Sequence, residues 1–420
     1  MTETRPADLM RGLSGGGREI RALLGGNRDY RRLLLAGLIS QTGDWVIGTG
    51  LAFHVYRLTG STLSAAVMLL LSRLPDVVLG PVAGALADRW DRRRLLVATD
   101  VLLALGLLPL AAVREPGQMW IVYAVALWTG VLSTVLAPAQ KALVPQIVAG
   151  PQLVRANALH GQAGQAARLL GAMLGGAAVS AGGLAAVVAI DVASFAVSAV
   201  LQAGLRTPRP PAGTAAAGGR RGPGLDGGVR LPVAGRGTGV RMLVAYMMIV
   251  GLGEGVFATL AAPFVSDVLG GEGDAYGLFL SAQAVGGIAG GLLVALHPGR
   301  AAPRTLLGGA TIALGVVDLA LFMYPLAVPA LWPAPVLIGL AGLPAAAATA
   351  GFTTLAQTVT DDARLGRVFG VLAGAHAATG LAGMALAGLL GGVVGIVPVL
   401  CVHAAGLVTA GILALTWRHA

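Results

Sequence analysis

Five charged residues stand where a charge is costly. Asp44, Arg73, Asp76, Arg168 and Glu254 each fall near the middle of an apolar run long enough to cross a bilayer. An ion at that depth costs a few kcal/mol, so it faces a cavity or a partner. A carboxylate so placed can load and release a proton when access to it alternates between two sides, and burial and a neighbouring arginine act on it in opposite directions. Asp44 is the first candidate for that work and Glu254, set among the glycines of GLGEGVF, the second. Arg73 and Asp76 are three residues apart and share a helix face, so Arg73 can pair with Asp76 or with Asp44. A static ion pair that only fixes helix packing is the rival reading. Arg168 lies at similar depth. Asp100 falls near one end of its run and is expected to join a gate network with the arginines at 89–94. Asp191 and Asp318 lie further from that end and rank below the others.

The elements that must hold these residues follow from composition. Of 420 residues, 56% are apolar and only 11% charged, against about 25% charged in an ordinary soluble domain. With a mean hydropathy of +0.79, the chain reads as a polytopic membrane protein. Its long apolar runs demand helices, since a barrel strand alternates over about ten residues. The lone Cys401 excludes an internal disulfide, a cysteine zinc site and an iron–sulfur cluster. His54, His376 and His403 are dispersed, without metal-ligand spacing, and read as packing residues. No phosphate-binding glycine loop is present. No cofactor, metal or nucleic-acid partner is expected, and a catalytic role finds no cluster of residues to carry it.

Apolar runs bounded by charge, Gly and Pro number twelve, six in 33–205 and six in 241–416. Two equal six-span blocks are the hydropathy signature of a duplicated transporter. Residues 1–32 read as a tail, 206–240 (rich in Pro, Gly, Ala and Arg) as a linker, and 417–420 as a second tail. If the N-terminus is cytoplasmic, nearly all the arginines are cytoplasmic and only Arg57 and Arg114 lie outside, so the positive-inside rule puts both termini in the cytoplasm. That charge bias explains a pI near 10.9 without nucleic acid. A bacterial plasma-membrane protein acting as a single copy is the expectation.

Residues 84–96, GALADRWDRRRLL, join the second and third runs. Gly84, Leu86, Asp88, Arg89, Arg92, Arg93 and Leu96 resemble the loop signature of the major facilitator superfamily, with Asp91 in place of its second glycine, as in the macrolide-efflux and enterobactin-exporter-like branch. The resemblance implies an all-helical fold of two six-helix bundles rocking around a central site. It also implies that Asp88 holds a gate against the opposite half, with Arg364 and Arg367 in DDARLGRVFG as candidate partners. The corresponding loop of the second half, 296–307, has no acid, so the latch is expected on one side only. In the fifth run, Gly171, Gly175 and Gly176 resemble an antiporter signature; plain close helix packing explains the same residues.

Gln41, Trp45, Trp128, Gln140, Phe257 and Gln283 are candidates to line a cavity for an amphipathic solute. The implied activity is proton-coupled efflux of a small amphipathic or cationic compound. Export of a specific metabolite such as a siderophore, a symporter, and a membrane scaffold or sensor are the alternatives.

Overall fold

A computed structural model describes residues 24–148, 152–206, 238–296, 302–360 and 365–417. Most of the tail and linker expected at 1–32 and 206–240, with residues 418–420, lies outside the described residues. The first bundle begins with α1 (Arg28–Thr59), α2 (Thr62–Arg89), α3 (Arg92–Leu107) and α4 (Met119–Ile147). A continuous helical run, Leu153–Ala203, then breaks at Gly183 into α5 (153–182) and α6 (184–203). The second bundle holds α7 (Thr238–Pro263), α8 (Gly273–Leu296), α9 (Pro303–Met323), α10 (Pro333–Thr358), α11 (Leu365–Val393) and α12 (Ile396–Thr416). Twelve helices are therefore present among the described residues.

Local chemistry sets the ends. The Asn27 side chain accepts from the Tyr30 amide at 2.9 Å and starts α1 earlier than hydropathy alone suggests. Gly60, at φ 61°, ends α1 in the left-handed conformation, and Ser61 caps α2 one residue later. Asp91, the departure from the loop signature, accepts from the Arg94 amide at 2.8 Å and caps α3.

Gly183 makes twelve helices out of eleven. On either side of it, α1 residues meet 171 and 175 in rising order, but 187 and 194 in falling order. So α5 runs parallel to α1 and α6 antiparallel to it, and the chain reverses at one residue. Its φ of 64° and ψ of −161° lie in a region open essentially to glycine alone.

Among the described residues, ten helical segments are long and apolar enough to span a membrane, the α5–α6 run counting as one. The first helix, α1, is not among them. It carries Gln41, Thr42 and Asp44 and packs chiefly against α5 and α6.

We call the end where α1 begins proximal and the other end distal. The bundles meet along α5–α8 and α2–α11. At the distal end, Thr62 donates to the Gly388 carbonyl at 2.9 Å, Tyr56 donates to Asp267, and Arg57 pairs with Glu272 at 3.5 Å. One apolar core runs across both bundles there, joining Phe53 and Val55 to Phe264, Phe279 and Tyr276. Toward the proximal end a separate apolar core, around Leu243, Leu307 and Leu372, belongs to the second bundle alone. Among the described residues, the polar contacts that cross between the bundles lie at the distal end and at mid-depth.

Placing a side chain at Gly183 forces a residue into a glycine-only conformation. Gly183→Ala is expected to destabilise the protein by about 1–3 kcal/mol, read as a lower melting temperature of purified protein in detergent. An unchanged melting temperature would mean that the reversal does not depend on this residue.

Candidate functional site

Where the bundles part, mid-helix charges are solvent-exposed. Asp44, Arg73, Asp76 and Glu254 are all exposed. Lipid cannot be what they face, given the cost of an ion in hydrocarbon, so their exposure marks a water-accessible cleft between the bundles.

Arg168 on α5, half-buried, joins the two bundles at mid-depth. Its guanidinium lies 5.3 Å from the ring centroid of Trp45 on α1, a cation–π arrangement. Its Nη2 donates to Gln283 Oε1 on α8, and Glu254 on α7 is the charge that acts on it most strongly. Three of the residues singled out in the sequence, on three helices and both bundles, are thus in contact, and Glu254 of α7 acts on Arg168 electrostatically. The Nε of Arg168 is buried without a hydrogen-bond partner among the described residues, so the cation retains an unmet donor.

Other candidates go elsewhere. Asp76 accepts from the Thr134 hydroxyl at 2.8 Å, which ties α2 to α4, and Arg73 lies within electrostatic reach of Asp44. Trp128 donates to the Leu102 carbonyl at 3.1 Å and lies over Gly106, in a groove between α3 and α4 away from the cleft. Gln140 is half-buried on α4, and Gln41 lies between α1 and α5 near Gly164. Phe257 packs against Phe279, Phe322 and His403 at 6.0–6.4 Å. The glycines of the antiporter-like run form a packing seam: Gly171 and Gly175 abut α1 at Thr42 and Val46, and Gly176 abuts Gly273 and Gly277 of α8. Of the gate residues, Gly84, Asp88, Arg89 and Arg364 lie outside the described side chains. Arg92 is half-buried, Arg367 is exposed, and Arg93 donates to the Ala203 carbonyl, within its own bundle. Asp100 is fully buried and accepts from Gln202 at 3.0 Å.

Three titratable contacts were not legible in the sequence. His376 on α11 places Nε2 3.1 Å from Glu254 Oε2. His403 on α12 places Nε2 3.4 Å from Asp318 Oδ2, with both side chains almost wholly buried. Asp191 on α6 is 0% exposed and lies against Gly43, the residue before Asp44. Their partners lie on helices distant in sequence, so spacing alone gave no sign of these contacts; the only hint was an ionisable residue inside an apolar run.

A two-bundle helical membrane protein with a charged central cleft has the architecture of a secondary transporter. The chain belongs to the major facilitator family of transmembrane secretion effectors, whose model matches residues 26–419. It is 29% identical over 366 residues to an uncharacterized transporter of this type from Mycobacterium tuberculosis, covering 82% of this chain and 80% of that one. It is 25% identical over 166 residues to macrolide efflux protein A of Streptococcus pyogenes, and 26% over 167 residues to the enterobactin exporter EntS of Citrobacter koseri. Each of those two matches covers 39% of this chain, and 41% and 40% of the respective relative, so the chain spans about two fifths of their length. In fold it resembles the solved inward-facing structure of a bacterial homologue of the iron transporter ferroportin, with TM-score 0.70 at 16% identity over 93% of this chain and 98% of that one. The protein is a multi-pass membrane transporter.

The constellation predicts a short distance between α5 and α8. Arg168→Cys with Gln283→Cys, in a Cys401→Ser background, is expected to cross-link readily with a short bifunctional thiol reagent in native membranes. Absence of the cross-link, with both thiols reactive singly, would contradict the placement.

Proposed function

We propose that this transporter exports a small amphipathic or cationic compound in exchange for protons, with the two bundles rocking to open the cleft to one side and then the other. The observation that carries the reading is the Arg168–Trp45–Gln283–Glu254 constellation. It brings a flat aromatic face and a cation with an unmet donor, held between side chains of both bundles, under the influence of an exposed carboxylate. A solute with an apolar body and a polar group finds a partner for each part there. Glu254, exposed and touching His376, can exchange a proton with water when the cleft is open. Asp44, exposed on α1 at comparable depth, is the corresponding carboxylate of the first bundle.

Direction and sidedness rest on the arginines. With both termini cytoplasmic in a bacterial plasma membrane, the parted proximal end faces the cytoplasm, and the conformation is the one that collects solute from inside. The distal contacts of Tyr56 with Asp267 and Arg57 with Glu272 then form the outer gate, to be broken on release. The similarity to macrolide and enterobactin exporters supports outward transport. A second reading, export of one specific metabolite carrying an anionic aromatic group, is favoured by Arg168 stacked on Trp45, which suits such a group better than a cation.

Inside-out vesicles acidified within provide the test. Adding erythromycin, a lipophilic cation or a siderophore is expected to release protons, read with a pH dye. Glu254→Gln is expected to reduce that release by roughly a hundredfold, the lower end of what a positioned proton carrier contributes. No release with any compound, from protein shown to be folded and inserted, would remove proton-coupled export; a response to siderophore alone would select the second reading.

A further inference from the structure

We propose that His376 carries the coupling proton, held there by Glu254, and that a monovalent organic cation takes the place of that proton beside Glu254, one for one. The proposal rests on the exchange reading above and names its cargo class and its proton carrier. His376 Nε2 lies 3.1 Å from Glu254 Oε2, and both groups are open to water: the imidazole is 30% exposed and the carboxylate 62%. Histidine is the side chain whose charge ordinarily changes between pH 5 and 8. His403 and Asp318 are also in contact, but almost wholly buried, where a proton from water does not readily reach them.

A glycine seam mounts the exposed pair. Gly251 and Gly255, one turn apart on α7, abut the carbonyls of His376 and Gly380 on α11, and Gly383 of α11 abuts the Leu252 carbonyl in return. Backbones this close leave no room for side chains between them. Glu254, three residues beyond Gly251, stands at the edge of that seam beside His376. Both residues belong to the second bundle, so rocking of one bundle against the other leaves their contact intact. A proton held between them therefore survives the conformational change, as a carried proton must.

The surrounding charges decide what can replace it. From α5 comes Arg168, on which Glu254 acts electrostatically. From α12 comes His403, against Gly253 and already paired with Asp318 of α9. The helix α2 also packs against α11 and carries Arg73 and Asp76; Asp76 accepts from Thr134, and Arg73 acts on Asp44. Tyr246 of α7 is hydrogen-bonded to Thr311 of α9, and Arg367 stands at the proximal start of α11. With His376 protonated, Glu254 thus answers two cations, His376 and Arg168. A further cation brought to Glu254 is repelled until one of them loses its charge. A guanidinium does not give up its proton, and an imidazolium does. An anion would instead hold the proton on His376 and travel with it, which is co-transport. Exchange selects a cation.

The step balances one charge against another. With the cleft open at the proximal end, the cation settles beside Glu254 and the N–H bond at His376 Nε2 breaks. The electron pair stays on nitrogen and the proton leaves to cytoplasmic water. With the cleft open to the other side, a proton from outside bonds to Nε2 and the cation departs. One cation goes out, one proton comes in, and no net charge crosses the membrane.

Titration calorimetry of the purified full-length protein with tetraphenylphosphonium, ethidium and erythromycin, in buffers of different ionisation enthalpy, counts the protons. At a pH where His376 is charged, each cation bound is expected to release close to one proton. The Kd is expected to rise toward tenfold for each unit by which the pH falls. His376→Gln is expected to bind with a flat pH profile and no proton release, and Glu254→Gln to lose binding at least tenfold. Wild-type binding without proton release, release that persists in His376→Gln, or no binding of any of the three cations overturns the proposal. So does a siderophore bound with proton uptake. If His376→Gln does not fold, wild-type proteoliposomes decide: ethidium uptake driven by a pH gradient is expected to be indifferent to a potential set with potassium and valinomycin. Uptake that follows the potential overturns one-for-one exchange. Proton-linked binding without any transport supports the site and removes the exporter reading.

Discussion

No charge in hydrocarbon can stand alone, and the architecture follows from the ways in which each charge here is met. Asp44, Arg73, Asp76 and Glu254 are exposed at mid-depth, which requires a water-accessible space between the bundles even where Asp76 and Glu254 also have a partner in Thr134 and His376. Arg168 is met by an aromatic face and an amide from two other helices, which requires the bundles to come together at mid-depth. His403 and Asp318 meet each other inside the second bundle. Asp191 and Asp100 meet only hydroxyls and an amide. Since an unpaired buried ion is strongly disfavoured, each of these solutions fixes helix positions as firmly as apolar packing does. In a bilayer, moreover, apolar contact between helices carries little of the driving force it has in water.

Close approach is what makes those solutions reachable. Gly43 brings α6 near enough to α1 for Asp191 and Ser194 to lie against its backbone, and Gly253 does the same for His403 and α7. The seam of Gly176 with Gly273 and Gly277 joins the bundles backbone to backbone at α5–α8. A seam without side chains lets two bodies tilt against each other without interlocked rotamers to unpick, as the proposed rocking would require. The distal latch of Tyr56, Arg57, Asp267 and Glu272 is polar and solvent-competent, so it can be exchanged for water at small cost.

The fold was legible because its signals are local or summed along the chain. Run length, the equal halves and the loop at 84–96 all survive reading in one dimension. Even the helix reversal at Gly183 left its trace, as a glycine pair between two apolar runs. The constellation around Arg168 was legible in part: cost at depth picked out Arg168, Glu254 and Asp44, and amphipathic types picked out Trp45 and Gln283, but nothing in the sequence joined them. Trp128 was chosen on the same grounds, yet it lies between α3 and α4, because residue type carries no information on the face of the helix. His376, His403 and Asp191 were undervalued for the converse reason. Their partners come from helices far away in the chain, and a histidine inside an apolar run reads as packing until the acid beside it is seen.

The central claim is that solute moves through the Arg168 cleft at the expense of a proton gradient. Proteoliposomes holding purified protein, given a pH jump that makes the lumen acidic, test it directly with radiolabelled erythromycin. With the transporter's cytoplasmic face outward, the account predicts accumulation that depends on the gradient, collapses with a protonophore and is lost in Arg168→Ala. Accumulation that ignores the gradient, or survives Arg168→Ala unchanged, would contradict it.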